Sequence, residues 1–86
     1  MYYVYVLFSS KDKRFYTGYT QDLRKRLDRH TKGLIESTKN RRPLDLVYYE
    51  SCRNQEDAIK REKYLKTTYG KRYLRNRLTN DLFSSK

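Results

Sequence analysis

A glutamate, an arginine, a histidine and two tyrosines stand out in this chain because of where they fall. In one helical stretch Leu23 and Leu27 define an inward stripe, and on a wheel of roughly 100° per residue Arg26 and His30 lie within about 60° of Leu23. A guanidinium and an imidazole therefore border a core. In a second helical stretch Ala58, Leu65 and Tyr69 share a stripe that Ile59 extends, and Glu62 sits in its middle. A carboxylate in that position is costly unless it is paired or holds a cation. Alternation in two strand-like runs puts Tyr3, Tyr5 and Leu7 on one face of the first and Tyr16 with Gly18 on one face of the second. Gly18, without a side chain, leaves a shallow space where a backbone can approach.

Together these groups supply the parts of phosphodiester hydrolysis. That reaction needs a divalent ion to polarise phosphate, a fixed cation for developing charge and a base for water. Each group also has an ordinary reading. Arg26 can snorkel, His30 can cap its helix, Glu62 can pair with Arg26 or Arg61, and the tyrosines can be core rings with hydroxyls satisfied at the edge. The residues alone leave both readings open. Glu50, Glu56 and Asp57 are weaker candidates, being explained by a strand end and a helix start.

Positioning such a set requires two strands and two helices to converge. Tyr2 to Phe8 is aromatic, β-branched and apolar and reads as a buried strand. After the turn cluster at Ser9–Lys13, Arg14 to Tyr19 forms a second strand and closes a hairpin. Thr20 caps a helix from Gln21 to about Thr31, with Asp22 in its first turn, and Lys32-Gly33 ends it. Leu34 to Pro43 is a polar, basic connection. Leu44 to Cys52 is a third strand. Asn54 caps a helix to about Thr67, with Asp57 in a capping-box-like position. Tyr69-Gly70 breaks it, and Lys71 to about Leu78 makes a last helix with Leu74 and Leu78 inward. From Thr79 a tail is partly ordered by Leu82 and Phe83. The expected fold is α+β, a small three-stranded sheet flanked by helices in the order β-β-α-β-α-α.

The chain has 86 residues, with 21 Lys plus Arg against 10 Asp plus Glu, a formal net charge of +11. One domain fits that length, with a thin core. The charge excess points first to nucleic acid, ahead of an anionic membrane surface or an acidic protein. A single cysteine, Cys52, excludes an internal disulfide and a cysteine-rich zinc site, a pattern of a reducing compartment. No apolar run approaches the roughly 20 residues needed to span a bilayer, and Met1–Leu7 lacks a basic leader, so a cytoplasmic protein without a membrane role is expected.

Tyr3-Val4-Tyr5, ten intervening residues, and Tyr16-Thr17-Gly18 resemble the paired motif of the GIY-YIG nuclease superfamily. Asp22-Leu23-Arg24-Lys25-Arg26-Leu27, with His30 beyond, is similar to that family's first helix, and Glu56 to Lys63 to its glutamate-bearing helix. The resemblance runs over residues 2–78 and is to the short, stand-alone bacterial branch; it implies a nuclease-like domain over residues 1–80 and a tail over 81–86. Tyr3 stands where the first motif has glycine and Thr17 where the second has isoleucine.

The resemblance implies catalytic roles for Tyr5, Tyr16, Arg26, His30 and Glu62, with Glu62 holding one Mg²⁺ or Mn²⁺. A late asparagine of the family matches Asn76 or Asn80. The expected function is metal-dependent endonuclease action on DNA, favouring single-stranded or branched forms. The rivals are a non-catalytic DNA- or RNA-binding module and a docking module for an acidic protein. Gly18, Arg14, Arg24, Lys25, Lys39, Arg41, Arg42, Lys71 and Arg72 are the candidate nucleic-acid contacts, and a monomer or weak homodimer is expected.

Overall fold

The computed structural model describes residues 1–83. Three strands, Tyr2–Ser9 (β1), Phe15–Thr20 (β2) and Leu44–Cys52 (β3), combine with three helices, Leu23–Thr31 (α1), Gln55–Leu65 (α2) and Thr68–Arg77 (α3). A short helical turn, Lys39–Arg41, precedes β3, and a single wide turn, Thr79–Phe83, follows α3. The architecture is α+β with the expected element order.

β1, the most apolar strand, occupies the centre of the sheet, between β2 and β3, and both pairings are antiparallel. Tyr5 lies opposite Gly18 on one side and Tyr49 on the other. Val4 and Val6 turn to the opposite face, where they form the core with Ala58 and Leu65 of α2 and Leu74 of α3. The β1–β3 pairing carries a bulge: Val6 faces Tyr48, yet Leu7 faces Leu46. The skipped residue lets consecutive Val47 and Tyr48 both pack against the helical core, which simple alternation forbids.

Local chemistry explains the element ends, in two places differently from the expectation. α1 starts two residues later than Thr20 suggests, because Asp22 is the cap: its carboxylate accepts from the Lys25 N–H, while Thr20 accepts from the Asp22 N–H. Gly33 at φ +75° ends α1 as expected. Asn54 caps α2 through the N–H groups of Glu56 and Asp57. Tyr69-Gly70 does not break a helix. The break falls at Lys66-Thr67, Thr67 caps α3 through the Gly70 N–H, and Gly70 lies buried in the first turn of α3. A Cβ on Gly70 would stand 2.1 Å from the Tyr64 carbonyl oxygen. Glycine is there because α2 and α3 touch backbone to backbone.

The other face of the sheet has thinner cover. Leu23 and Leu27 are only half-buried, and the buried side chain of α1 is His30. The 34–43 connection completes the cover. Thr38 is fully buried, and the buried Ser9 hydroxyl donates to the Arg41 carbonyl at 2.6 Å. At the C-terminus Phe83 packs edge-on against Phe8 and Phe15, as the tail reading expected; residues 84–86 of that tail lie outside the described residues.

Candidate active site

Tyr5 is the pivot. It projects from the central strand towards α1, and its ring crosses β2 over Gly18. A Cβ on Gly18 would stand 2.6 Å from the Tyr5 hydroxyl and 2.7 Å from its Cζ. The shallow space expected for an approaching substrate backbone is therefore filled by this chain's own phenol. Gly18 serves the site by making room for the Tyr5 ring.

The Tyr5 hydroxyl lies 2.8 Å from His30 Nε2, and His30 Nδ1 lies 2.7 Å from Thr38 Oγ1. All three side chains are buried. His30 does not cap its helix with its ring; it spans phenol and threonine. A neutral imidazole carries one N–H, so the chain runs in one of two directions. Either Tyr5 donates to Nε2 and Nδ1–H donates to Thr38, or Thr38 donates to Nδ1 and Nε2–H donates to Tyr5. Tyr16 completes the cluster, its ring 5.3 Å from that of His30 and 6.4 Å from that of Tyr5, with its hydroxyl accepting from Ser37.

Arg26 and Glu62 bring charge to this group from two helices. Burial pushes the Tyr5 hydroxyl well above the ordinary tyrosine range; Tyr16 and Glu62 push the same way, and Arg26 opposes them. Tyr5 is thus a neutral phenol at rest. Arg26 by itself would make the phenol more acidic, and burial overrides it. Burial, aided by Arg26, lowers His30 to about 4, so the ring is neutral at physiological pH.

Arg26 Nε is buried without a hydrogen-bond partner among the described residues. A buried guanidinium N–H left open is a site for an anion, because its desolvation is otherwise uncompensated. Glu62 pairs with neither Arg26 nor Arg61. Arg61 is bound in two-pronged fashion to Glu50, at 2.8 and 3.1 Å. Glu62 meets Lys66 at 3.2 Å, one turn on and half exposed. A screened pair of that kind is weak and leaves the mostly buried Glu62 carboxylate open to a stronger cation.

Among the described residues no group of three or more His, Cys, Asp or Glu could hold a metal ion. A single, mostly buried carboxylate suits an ion that keeps most of its own water and takes substrate phosphate oxygens, as magnesium does. A zinc site of three or four protein ligands does not fit.

The candidate phosphate contacts divide. Arg14, Arg24, Lys25, Lys71 and Arg72 are exposed. Arg41 is consumed internally: it pairs with Asp12 at 2.6 Å, holding that carboxyl down at about 2, and reaches the Arg14 and Phe15 carbonyls. Arg42 donates to the Lys39 and Thr31 carbonyls, closing the end of α1, and Lys39 pairs with Glu36. Arg41 and Arg42 thus tie segments of the chain together. Asn76 and Asn80 are exposed at the end of α3 and in the turn beyond it. Thr38 escaped the sequence reading, because a threonine between Ser37 and Lys39 in a polar connection carries no sign of burial.

The lowered His30 has a consequence for stability. Its folded value near 4 lies below the unfolded value near 6.5, so between these the unfolded chain binds more protons. Stability is fully present above pH 6.5 and declines as pH falls towards 4, by roughly 3 kcal/mol over the window. His30 is the sole histidine, so an imidazole NMR titration reads it directly. Titration at or above 6.5 would contradict the buried neutral ring.

Comparison with known proteins follows the same lines. Residues 1–77 match the family model described as the GIY-YIG catalytic domain. The chain is 41% identical over 81 residues to the "UPF0213 protein in ldhD 5'region" of Pediococcus acidilactici, covering 87% of this chain and 82% of that one. It is 43% identical over 67 residues to a UPF0213 protein of Clostridium perfringens, covering 77% and 71%. The solution NMR structure of a UPF0213 protein from Bacillus halodurans superposes with a TM-score of 0.56 at 30% identity, covering 96% of this chain and 88% of that one. No helix of the described residues is long and apolar enough to cross a membrane.

Proposed function

From the fact that this chain belongs to the GIY-YIG catalytic domain family, within its small stand-alone UPF0213 branch, we propose that it is a metal-dependent endonuclease that hydrolyses phosphodiester bonds of DNA. The observation that carries the reading is the buried Arg26 Nε without a hydrogen-bond partner among the described residues, on a guanidinium that, like the Glu62 carboxylate, acts electrostatically on the Tyr5 hydroxyl.

Arg26 Nε donates to a non-bridging oxygen of the scissile phosphate and stabilises the charge that grows there. Tyr5 orients the attacking water. As the water oxygen bonds to phosphorus and the ester P–O bond breaks, a water proton passes to the Tyr5 oxygen while the Tyr5 proton moves to His30 Nε2. The net acceptor of the water proton is the His30 imidazole, reached through Tyr5, so no free phenolate forms. Thr38 holds the far side of the imidazole. Tyr16 packs the ring in place, and solvent protonates the leaving oxygen. Glu62 would hold one Mg²⁺ or Mn²⁺, which when bound supplies Lewis-acid polarisation of the phosphate.

Exposed Arg14, Arg24, Lys25, Lys71 and Arg72 make phosphate contacts, which confer affinity without sequence reading. The protein acts on nucleic acid in the cytoplasm as a monomer or weak homodimer.

The test is incubation of purified protein with single-stranded, duplex and branched DNA, with Mg²⁺, Mn²⁺ or EDTA. Cleavage with either ion and none in EDTA is the expected result. Binding without cleavage under all conditions would make the chain a nucleic-acid binder that keeps the fold alone. Affinity measured in EDTA should fall on the order of a hundredfold between 50 and 200 mM salt if about four or five phosphates are contacted. A flat titration would overturn the phosphate-driven picture.

A further inference from the structure

A second basic feature lies on the other face of the sheet, away from Tyr5. Phe8 of β1 and Phe15 of β2 project on the side of α2 and α3, and Phe83 closes against both. The three rings meet edge to face, with centroids 5.7 to 6.4 Å apart. They floor a groove of about 540 Å³. Such a cluster would ordinarily be covered, yet Phe83 is 40% exposed.

The walls carry cations. Lys13 and Arg14 come from the hairpin turn and Lys71 and Arg75 from α3. None of the four forms an ion pair among the described residues. Among the described residues the one carboxylate lining the groove, Asp12, is already neutralised by Arg41. Arg75 lies 5.4 Å over the Phe83 ring. The groove therefore sets part-exposed aromatic rings among cations that have no ion-pair partner among the described residues. Bases inside a duplex have their faces buried in the stack; unpaired bases do not. A ring floor with cationic walls is the chemistry that holds an unpaired nucleotide strand.

Its place relative to the cutting centre is set by β2. Phe15 and Tyr16 are neighbours on a free edge strand, so one ring faces the groove and the other faces His30. Two residues on, Gly18 seats the Tyr5 hydroxyl, roughly 7 Å along the strand at about 3.3 Å per residue. A flexible strand passing over this edge meets both sites.

We propose that the Phe8–Phe15–Phe83 groove binds an unpaired stretch of the substrate strand next to the scissile phosphate, so that the preferred substrate is DNA with a single-stranded extension. The inference rests on the proposed cutting centre for the strand's position, and binding tests it separately from cleavage.

The experiment measures fluorescence anisotropy in EDTA, comparing a duplex bearing a single-stranded extension with a blunt duplex of equal charge. The wild type should prefer the extended DNA. Phe83→Leu keeps an apolar side chain against Phe8 and Phe15 but removes the stacking face. It should weaken binding of the extended DNA about tenfold and leave the blunt duplex unchanged. Phe83→Tyr should restore the preference, and the double variant Lys71→Gln/Arg75→Gln should reduce it. Equal binding of both DNAs by the wild type, or an equal loss for both in Phe83→Leu, overturns the groove assignment. So does displacement of the extended DNA by poly-glutamate as readily as by a single-stranded oligonucleotide, which would mark an acidic-peptide site. A preference lost in Phe83→Leu by a protein that cuts no DNA upholds the groove and refutes the nuclease reading; cleavage without the preference does the reverse.

Discussion

Glu62→Gln should give a folded protein that binds DNA in EDTA as the wild type does and cuts it at least about a thousandfold more slowly, a loss of roughly 4 kcal/mol of transition-state stabilisation. The substitution keeps the shape and removes the charge. Its value lies in the sign of a side effect. The Glu62 charge raises the Tyr5 hydroxyl, so its removal makes Tyr5 more acidic. Were Glu62 only an electrostatic neighbour of the phenol, the variant would cut as well as or faster than the wild type. A metal holder predicts the opposite. Loss of the weak pair with half-exposed Lys66 accounts for little in stability. Arg26→Ala should cause a loss of similar size, because it removes the guanidinium whose buried Nε has no partner among the described residues. Circular dichroism and binding in EDTA check the fold, and nicking of a labelled oligonucleotide with Mn²⁺ checks the chemistry. Retained cleavage by clean Glu62→Gln protein would end the metal assignment.

The largest expected effect on stability lies far from that chemistry. Gly70→Ala places a methyl 2.1 Å from the Tyr64 carbonyl oxygen and 2.4 Å from the Leu65 Cα. Both are backbone atoms at the end of α2, so no rotamer change relieves the clash. α3 must move away, which opens the contact between Leu65 and Leu74 in a small core. Alanine ordinarily stabilises a helix over glycine by about 1 kcal/mol. Here overpacking should reverse that sign and cost about 3 kcal/mol or more, a large share of the stability of so short a chain. Urea unfolding measures it. A variant as stable as the wild type would show that α2 and α3 can separate freely.

Much of the fold was legible because local and long-range signals agreed. β1 and β3 are apolar runs between turn residues, Asn54 and Gly33 are unambiguous cap residues, and the strand boundaries fall within a residue or so of expectation. The misses share a cause: the deciding contact is distant. Thr20 and Asp22 are both competent caps, and only the reach of β2 selects the second. Tyr69-Gly70 reads as a breaker until α2 is set against it. The β3 bulge follows from the need to bury Val47 and Tyr48 together, which no window of β3 reveals.

The candidate site was legible as misplaced polarity. Arg26, His30 and Glu62 sit on stripes that ought to be apolar, and they converge on Tyr5. Thr38 carried no such mark, and the space over Gly18 was assigned to a ligand when it belonged to Tyr5. Counting cations also overstated the binding surface, since Arg41 and Arg42 look free in one dimension and are engaged in three.

The central place of β1 bears on the order of assembly. Tyr5 meets its β2 partner, Gly18, within a short hairpin, but its β3 partner, Tyr49, arrives only after the whole intervening chain. β1 is thus the one strand of this sheet that needs two neighbours, and it gains the second only when β3 is available. Until then it offers a bare, strongly apolar ribbon to any passing chain. Closure across that gap carries a loop-entropy cost that is recovered only when β3 pairs with β1. Nascent chains stalled before residue 52 should be those that chaperones hold.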